Sequence, residues 1–248
     1  MDLSIKEFSI QLYTLRDLMK DDFAGVLAKV GKLGFTGVEF AGYGGYSAKE
    51  LKKILDDSGL KSVGSHVPYD AITKDTGAVI EYNAILGSEW IVCPHANMAT
   101  RDDALRAAES FEKPAEKIAE AGIGFAYHNH HFEFAKSGES FLLDILLENT
   151  DNKLVFSELD MYWAAYAGVD PLEYLAKLGG RAKLLHVKQM KDFETKRCID
   201  LGEGAIDFKK VLRVGAELGV LHYILEQEEF ESDPLVSAKN GIDYIFSI

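Results

Sequence analysis

The sequence predicts a single-domain α/β protein, a (β/α)8 (TIM) barrel spanning residues 1–248. Three observations carry this expectation. Short apolar runs of strand length recur eight times, spaced roughly 25–30 residues apart, each leading into an amphipathic helical stretch. The runs are nearly continuous in apolar character, as parallel strands covered on both faces must be. The chain has 248 residues and no Pro/Gly/Ser-rich linker, which suits one barrel of about 200–250 residues. An open doubly wound sheet is the alternative, because periodicity does not reveal the order in which strands pair.

The strand runs are residues 8–13 (FSIQLY), 36–40 (TGVEF), 61–66 (KSVGSH), 89–95 (EWIVCPH), 123–130 (IGFAYHNH), 153–160 (KLVFSELD), 182–189 (AKLLHVKQ) and 222–228 (HYILEQE). Helical stretches lie between them, among them DDFAGVLAKVGKLG, SAKELKKILDDSG and the segment from Ala104 to Gly122. Ser47 and Asp207 stand where N-caps belong, and Gly34, Gly59, Gly122 and Gly219 stand where helices should stop. Strands that alternate with helices pair in parallel, since the crossover supplies the length a parallel connection needs.

Composition narrows the function classes. The chain is 47% hydrophobic and 27% charged, with a formal net charge of −13. That balance argues against nucleic acid or an anionic membrane as partner, because binding phosphates needs clustered Lys and Arg. The two cysteines, Cys93 and Cys198, have no CxxC spacing and point to a reducing compartment or to two inert thiols. No apolar run is long enough to span a membrane, and the N-terminal segment lacks the apolar core of a signal peptide, so a cytoplasmic location is expected.

In a barrel, functional side chains stand at the C-terminal ends of strands. Here those ends carry Glu39, His66, His95, His128, His130, Glu158, Asp160, His186, Lys188, Glu226 and Glu228, including five of the chain's seven histidines. Residues two apart on a strand face the same way. His128 therefore shares a face with His130, Glu158 with Asp160, His186 with Lys188, and Glu226 with Glu228. His131 is out of phase and should face away. Buried imidazoles and carboxylates in one small mouth repel or remain unpaired unless something holds them together. A divalent cation does so, since it takes neutral imidazole and ionised carboxylate at once. Taken singly, each residue has a plainer reading: a hydrogen-bonded loop histidine, a solvated Glu, Asp160 as a helix cap, Trp163 with Tyr162 and Tyr166 as wall. The joint pattern is what argues for a metal.

The segments SIQLYTLRD, GFTGVEFAG, GSHVPYD, AYHNHHFEF, ELDMYWAAYAG, LLHVKQM, LGEGAIDF and ILEQEEF, in this order over nearly the whole chain, resemble the xylose isomerase-like TIM-barrel superfamily of sugar phosphate isomerases and epimerases. The resemblance implies one divalent metal, manganese first, with Co, Fe, Zn or Mg as alternatives. Its ligands, carried over position by position, would be His128, Asp160, His186 and Glu226. Many sugar epimerases have Glu at the strand-five position, where it serves both as ligand and as acid/base. Here HNH stands in place of a pattern like ENH, so the first ligand reads as His128, with His130 as the alternative. A metal-bound imidazole is a poor proton shuttle. The second acid/base group must then be His130, His66, Lys188 or Glu158, beside Glu226 as ligand and candidate base. Gln11, Glu39, His66, His95, Glu133, Trp163 and Glu203 are the candidate substrate contacts. Glu203 is assigned from GEGAIDF, which resembles a loop that closes over the site and also reads as a turn before the cap Asp207.

The expected function is a metal-dependent carbohydrate isomerase or epimerase acting by proton abstraction beside a sugar carbonyl, with a small sugar or keto-sugar as partner. The YHNH…EF form resembles the inosose dehydratase-like and 3-keto-glycoside lyase-like branch, so elimination from a keto-sugar is the alternative. Phosphodiester hydrolysis of the endonuclease IV type fits poorly with the −13 charge, and a non-catalytic sugar-binding protein is a third class. No GxGxxG or Walker pattern provides a phosphate cradle. Metal affinity is expected to fall as pH drops through the histidine range, near ~6.5.

Overall fold

The computed structural model describes residues 7–248. Residues 1–6, included in the expected domain and in the signal-peptide reading, lie outside the described residues. Eight parallel strands close on themselves: β1 (Ser9–Gln11), β2 (Gly37–Phe40), β3 (Lys61–His66), β4 (Trp90–Cys93), β5 (Gly124–His128), β6 (Val155–Asp160), β7 (Ala182–Val187) and β8 (His222–Leu225). The order is β1-β8-β7-β6-β5-β4-β3-β2, with β1 paired to both β2 and β8. The expected barrel is the observed fold, and the open sheet is ruled out by the β1–β8 pairing.

Most strands are shorter than their apolar runs. β1 stops at Gln11, after which Leu12–Leu15 turn into a 3-10 helix, and β8 stops at Leu225. His130, Lys188, Glu226 and Glu228 lie just beyond the paired segments and are free to turn toward the mouth. The helix signals hold. Ser47 caps the helix Ala48–Ser58 through a reciprocal pair with Glu50, and Asp207 accepts from Lys210 N at the start of Phe208–Leu218. Gly59 and Gly219 end those two helices with φ of 68° and 81°, a region that costs other residues steric strain.

The lumen is layered. Its floor is apolar: Val63, Trp90, Val92, Ala126, Leu184 and Ile224 pack on one another, with Phe156 against them. Two residues further along the same strands stand His128 above Ala126, Glu158 above Phe156, His186 above Leu184 and Glu226 above Ile224, so the polar residues form the next layer up. A larger apolar cluster fills the space between barrel and helices. Each large side chain buried there contributes about 1.5–3 kcal/mol, which gives the polar layer a rigid support.

Two register shifts set the phase of that layer. Pairing steps from Val38–Ser62 to Glu39–Gly64, passing over Val63, and from Ser157–Ala182 to Glu158–Leu184, passing over Lys183. Such bulges re-aim side chains. Each occurs at a buried carboxylate, and after the second one Asp160 pairs directly with His186. Gly64 has a separate reason to lack a side chain: a Cβ there would stand 2.9 Å from Glu39 Oε1. Among the described residues, no helix is long and apolar enough to cross a membrane.

Candidate functional site

The polar layer opens into a cavity of about 470 Å3 at the C-terminal end of the barrel. His66, His128, His130, Trp163, Glu226 and Glu228 line it, with Tyr13 at the rim. Among the described residues, no Lys or Arg belongs to its wall. Behind the wall, Glu39, Glu158, Asp160 and His186 are wholly buried. Among the described residues, five carboxylates thus converge with a single ammonium, Lys188, and the remaining balance must come from imidazolium or from a bound cation.

His186 divides the centre in two. Its Nδ1 faces Glu226 Oε2 at 3.2 Å and Asp160 Oδ2 at 3.7 Å, and His128 Nε2 stands 3.6 Å from the same Asp160 oxygen. One ligand atom from each of His128, Asp160, His186 and Glu226 lies within 4.8 Å of the others. Ligands held about 2.0–2.2 Å from one ion are separated by roughly 3–3.5 Å, which these contacts approach. Both ring nitrogens of His128 and Oδ2 of Asp160 are buried without any hydrogen-bond partner. Orphaned buried atoms of ligand type are costly unless something binds them, so the residues fit a divalent cation. The other ring nitrogen, Nε2 of His186, faces Glu39 Oε2 at 2.9 Å and Glu158 Oε2 at 3.3 Å. His66 Nε2 joins this second set, 2.8 Å from Glu158 and 3.2 Å from Glu39. These four residues form a second group of ligand type, in which Glu39 Oε1 and Glu158 Oε1 are also unpartnered, but its closest contacts, at 2.8 and 2.9 Å, are shorter hydrogen bonds than the 3.2 Å one between His186 and Glu226.

Among the protein's own charges, the carboxylates separate. Burial pushes Glu158 up to about 7, and the neighbouring Glu39 adds to that. Burial opposes ionisation of Glu39 too, but the two imidazoles hold it well below the usual carboxylate range. Burial likewise opposes a charge on His66, yet Glu39 and Glu158 raise it to about 10. His128 is lowered to about 4 and His130 to about 3, mainly by burial, so both are neutral rings at ordinary pH. A neutral ring is the form that ligates a metal or accepts a proton.

The model of the xylose isomerase-like TIM barrel family matches residues 27–247. The chain belongs to that family. Among curated relatives it resembles the inosose dehydratase of Clostridium botulinum (strain Alaska E43 / Type E3), 23% identical over 92% of this chain and 91% of that one. It also resembles the rhizopine catabolism protein MocC of Rhizobium meliloti, 25% identical over 87% and 78% of the two chains. A solved sugar phosphate isomerase/epimerase from Parabacteroides distasonis superposes with a TM-score of 0.85, at 26% identity and covering 98% and 94% of the chains.

In this xylose isomerase-like barrel the other expected site residues have distinct positions. Lys188 does not reach the cavity wall. Its ammonium pairs with Glu226 at 3.4 Å and with Glu228, and lies 4.7 Å over the Trp163 ring. Gln11 is buried and donates to Glu39 Oε2 at 2.7 Å. Glu39 is equally buried, beneath the cavity rather than on it. Glu133 accepts from Tyr127 OH at 2.7 Å and from His130 N at 2.9 Å, which fixes the turn carrying His130. His95 is exposed, its ring 6.4 Å from that of His130, and with His130 and Glu133 it forms a looser ligand-type group. His131 faces outward as expected, against Trp163 and Tyr166. Glu203 lines a different cavity, beside Lys191, Asp200 and Glu231, not the barrel mouth. Asp160 also does what its plainer reading says: Oδ1 caps the helix Met161–Tyr166 at Trp163 N, 2.8 Å away, leaving Oδ2 for the centre.

One residue escaped the sequence reading. Asn129 is fully buried, its Oδ1 accepting from Asp160 N at 3.1 Å. It clamps the end of β6 to that of β5 and so sets the spacing of His128 and Asp160. Its position between two expected site histidines was the only signal available.

Proposed function

We propose that this chain is a divalent-metal-dependent carbohydrate isomerase or epimerase that removes a proton from the carbon beside a sugar carbonyl. The observation that carries the reading is the quartet His128, Asp160, His186 and Glu226, with its unpartnered buried nitrogens and oxygen, two of whose members, His128 and Glu226, line a sugar-sized cavity. A divalent ion held there would act as a Lewis acid on the carbonyl and an adjacent hydroxyl. Manganese, or Co, Fe, Zn or Mg, suits the mixed nitrogen and oxygen donors. The Trp163 face and the rim Tyr13 offer flat apolar surface to a ring, and a wall without Lys or Arg favours an unphosphorylated substrate.

The residues divide the work. Glu226, ionised and facing the cavity, is placed to take the proton. Burial opposes its charge, but Lys188 and His186 keep it well below the usual range. His130, neutral and on the wall, can accept or return a proton on another side of the substrate. Glu158 acts through His66, to which it is bonded at 2.8 Å.

A second reading is loss of water from a keto-sugar or keto-cyclitol. It is supported by His66, a cavity-wall imidazole that two carboxylates hold protonated and that is therefore ready to donate to a departing hydroxyl, and by the resemblance to inosose dehydratases. Both readings begin with the same proton. The test is incubation of the chelated and the metal-reloaded protein in D2O with a panel of ketoses and keto-cyclitols, followed by NMR. We expect metal-dependent deuterium incorporation beside the carbonyl. An epimer or isomer as product supports the first reading and an unsaturated ketone the second. No exchange on any member of the panel with any of the metals, or exchange that survives complete chelation, overturns both.

A further inference from the structure

We propose that Glu39 is the positioning carboxylate of His186, accepting the Nε2 proton through Oε2 and so presenting Nδ1 to the metal. The inference rests on the metal reading above and adds to it a residue that touches neither substrate nor ion. An imidazole cannot give both ring nitrogens to ordinary ligation and stay neutral, so His186 must use one side for the ion and the other for a proton. The two sides differ. On the Nδ1 side the acceptors stand off at 3.2 and 3.7 Å, and Asp160 Oδ2 and both His128 nitrogens have no partner. On the Nε2 side the groups are closed into short hydrogen bonds: Gln11 to Glu39 at 2.7 Å, His66 to Glu158 at 2.8 Å, and His186 to Glu39 at 2.9 Å. His186 is thus held more closely on its Nε2 side, at 2.9 Å from Glu39, than on its Nδ1 side, at 3.2 Å from Glu226, although Glu39 Oε1 and Glu158 Oε1 on the Nε2 side also lack a partner.

Glu39 is built for this position. It sits at the β2–β3 register shift, faces a glycine whose missing Cβ leaves room for its other oxygen, and is held from behind by Gln11, itself wholly buried. Of the two carboxylates near Nε2, Glu39 is the closer by 0.4 Å, from 2.9 and 3.3 Å. A carboxylate behind a ligating histidine fixes its tautomer and ring plane and raises its basicity.

The test is Co2+ binding to the full chain, measured by equilibrium dialysis and by the visible absorption of the bound ion, in wild type, Glu39→Gln and Glu39→Ala. We expect Glu39→Ala to bind roughly 10–100-fold more weakly, with Glu39→Gln between it and wild type, and all three to show the same spectrum at saturation. Glu39→Gln keeps the volume, so a side chain that merely filled space would leave its affinity at the wild-type value. If Glu39→Ala fails to fold, the Gln variant decides. Unchanged affinity in the folded Gln variant overturns the inference, and so does a different spectrum at saturation, which would make Glu39 a ligand. A wild-type protein that takes up no Co2+ overturns this inference together with the metal reading, whereas normal wild-type uptake with unaltered variants overturns this inference alone.

Discussion

Asp160 and His186 are cross-strand partners in the β6–β7 ladder, with Oδ2 and Nδ1 3.7 Å apart at its upper end. The contact is too long for a hydrogen bond, and a shared cation is what would bring both atoms into use. Elemental analysis should therefore find about one divalent ion per chain in wild type and little in His186→Ala. Asp160→Asn should also lose metal while keeping the cap to Trp163 N, whereas Asp160→Ala should lose the cap as well, at a further cost of about 1 kcal/mol. Full activity of a rigorously metal-free preparation would sink the mechanism.

Lys188→Met should weaken both metal affinity and turnover, and should destabilise the fold by about 3–5 kcal/mol, because it leaves Glu226 without its buried counter-charge. Sequence position alone suggested a lysine that addresses substrate, in which case turnover would suffer far more than metal binding. Metal titration, steady-state kinetics and urea unfolding on one variant separate the two roles. A large turnover defect with unaltered metal affinity and stability would restore the substrate-facing role.

Glu133 makes stability depend on pH. Burial raises its carboxyl to about 7, above the ordinary glutamate value of 4.5. A raised carboxyl pKa means that the folded chain binds the proton more tightly than the unfolded one. Its contribution is fully present below about 4.5, declines as pH rises, and is gone above about 7. Across that window the loss amounts to ~3 kcal/mol, from 1.36 kcal/mol per unit. Urea unfolding of the chelated protein at several pH values should show Glu133→Gln losing that much less than wild type between pH 4.5 and 7. Parallel curves for the two proteins would count against it.

Metal uptake should release protons. Burial opposes a charge on His186, but Glu158 and Glu226 raise its pKa well above the histidine value, so the metal-free ring carries a proton that ligation at Nδ1 must displace. Apparent affinity should consequently keep rising with pH beyond ~6.5, where sequence reasoning placed its levelling. Calorimetric titration in two buffers of different ionisation enthalpy, at pH 7.5, should give about one proton released per ion. Equal heats in the two buffers would show that His186 is already neutral.

The sequence by itself determined the barrel, the approximate strand positions and the five residues grouped at its mouth, because these follow from local periodicity: period two places His128, Glu158 with Asp160, His186 and Glu226 above apolar lumen residues of their own strands. The family resemblance then selected ligands from that set. It did not reach Glu203, whose loop belongs to another cavity, or the true occupations of Glu39 and Lys188. Those depend on contacts across 147 residues for Glu39 with His186 and 38 for Lys188 with Glu226. Register decided them. Skipping Val63 and Lys183 in the ladders sets Glu39 opposite Gly64 and Asp160 opposite His186. A bulge of one residue reverses which face a side chain takes, and it arises from how two distant strands pair, a relation that neither strand's own residues encode.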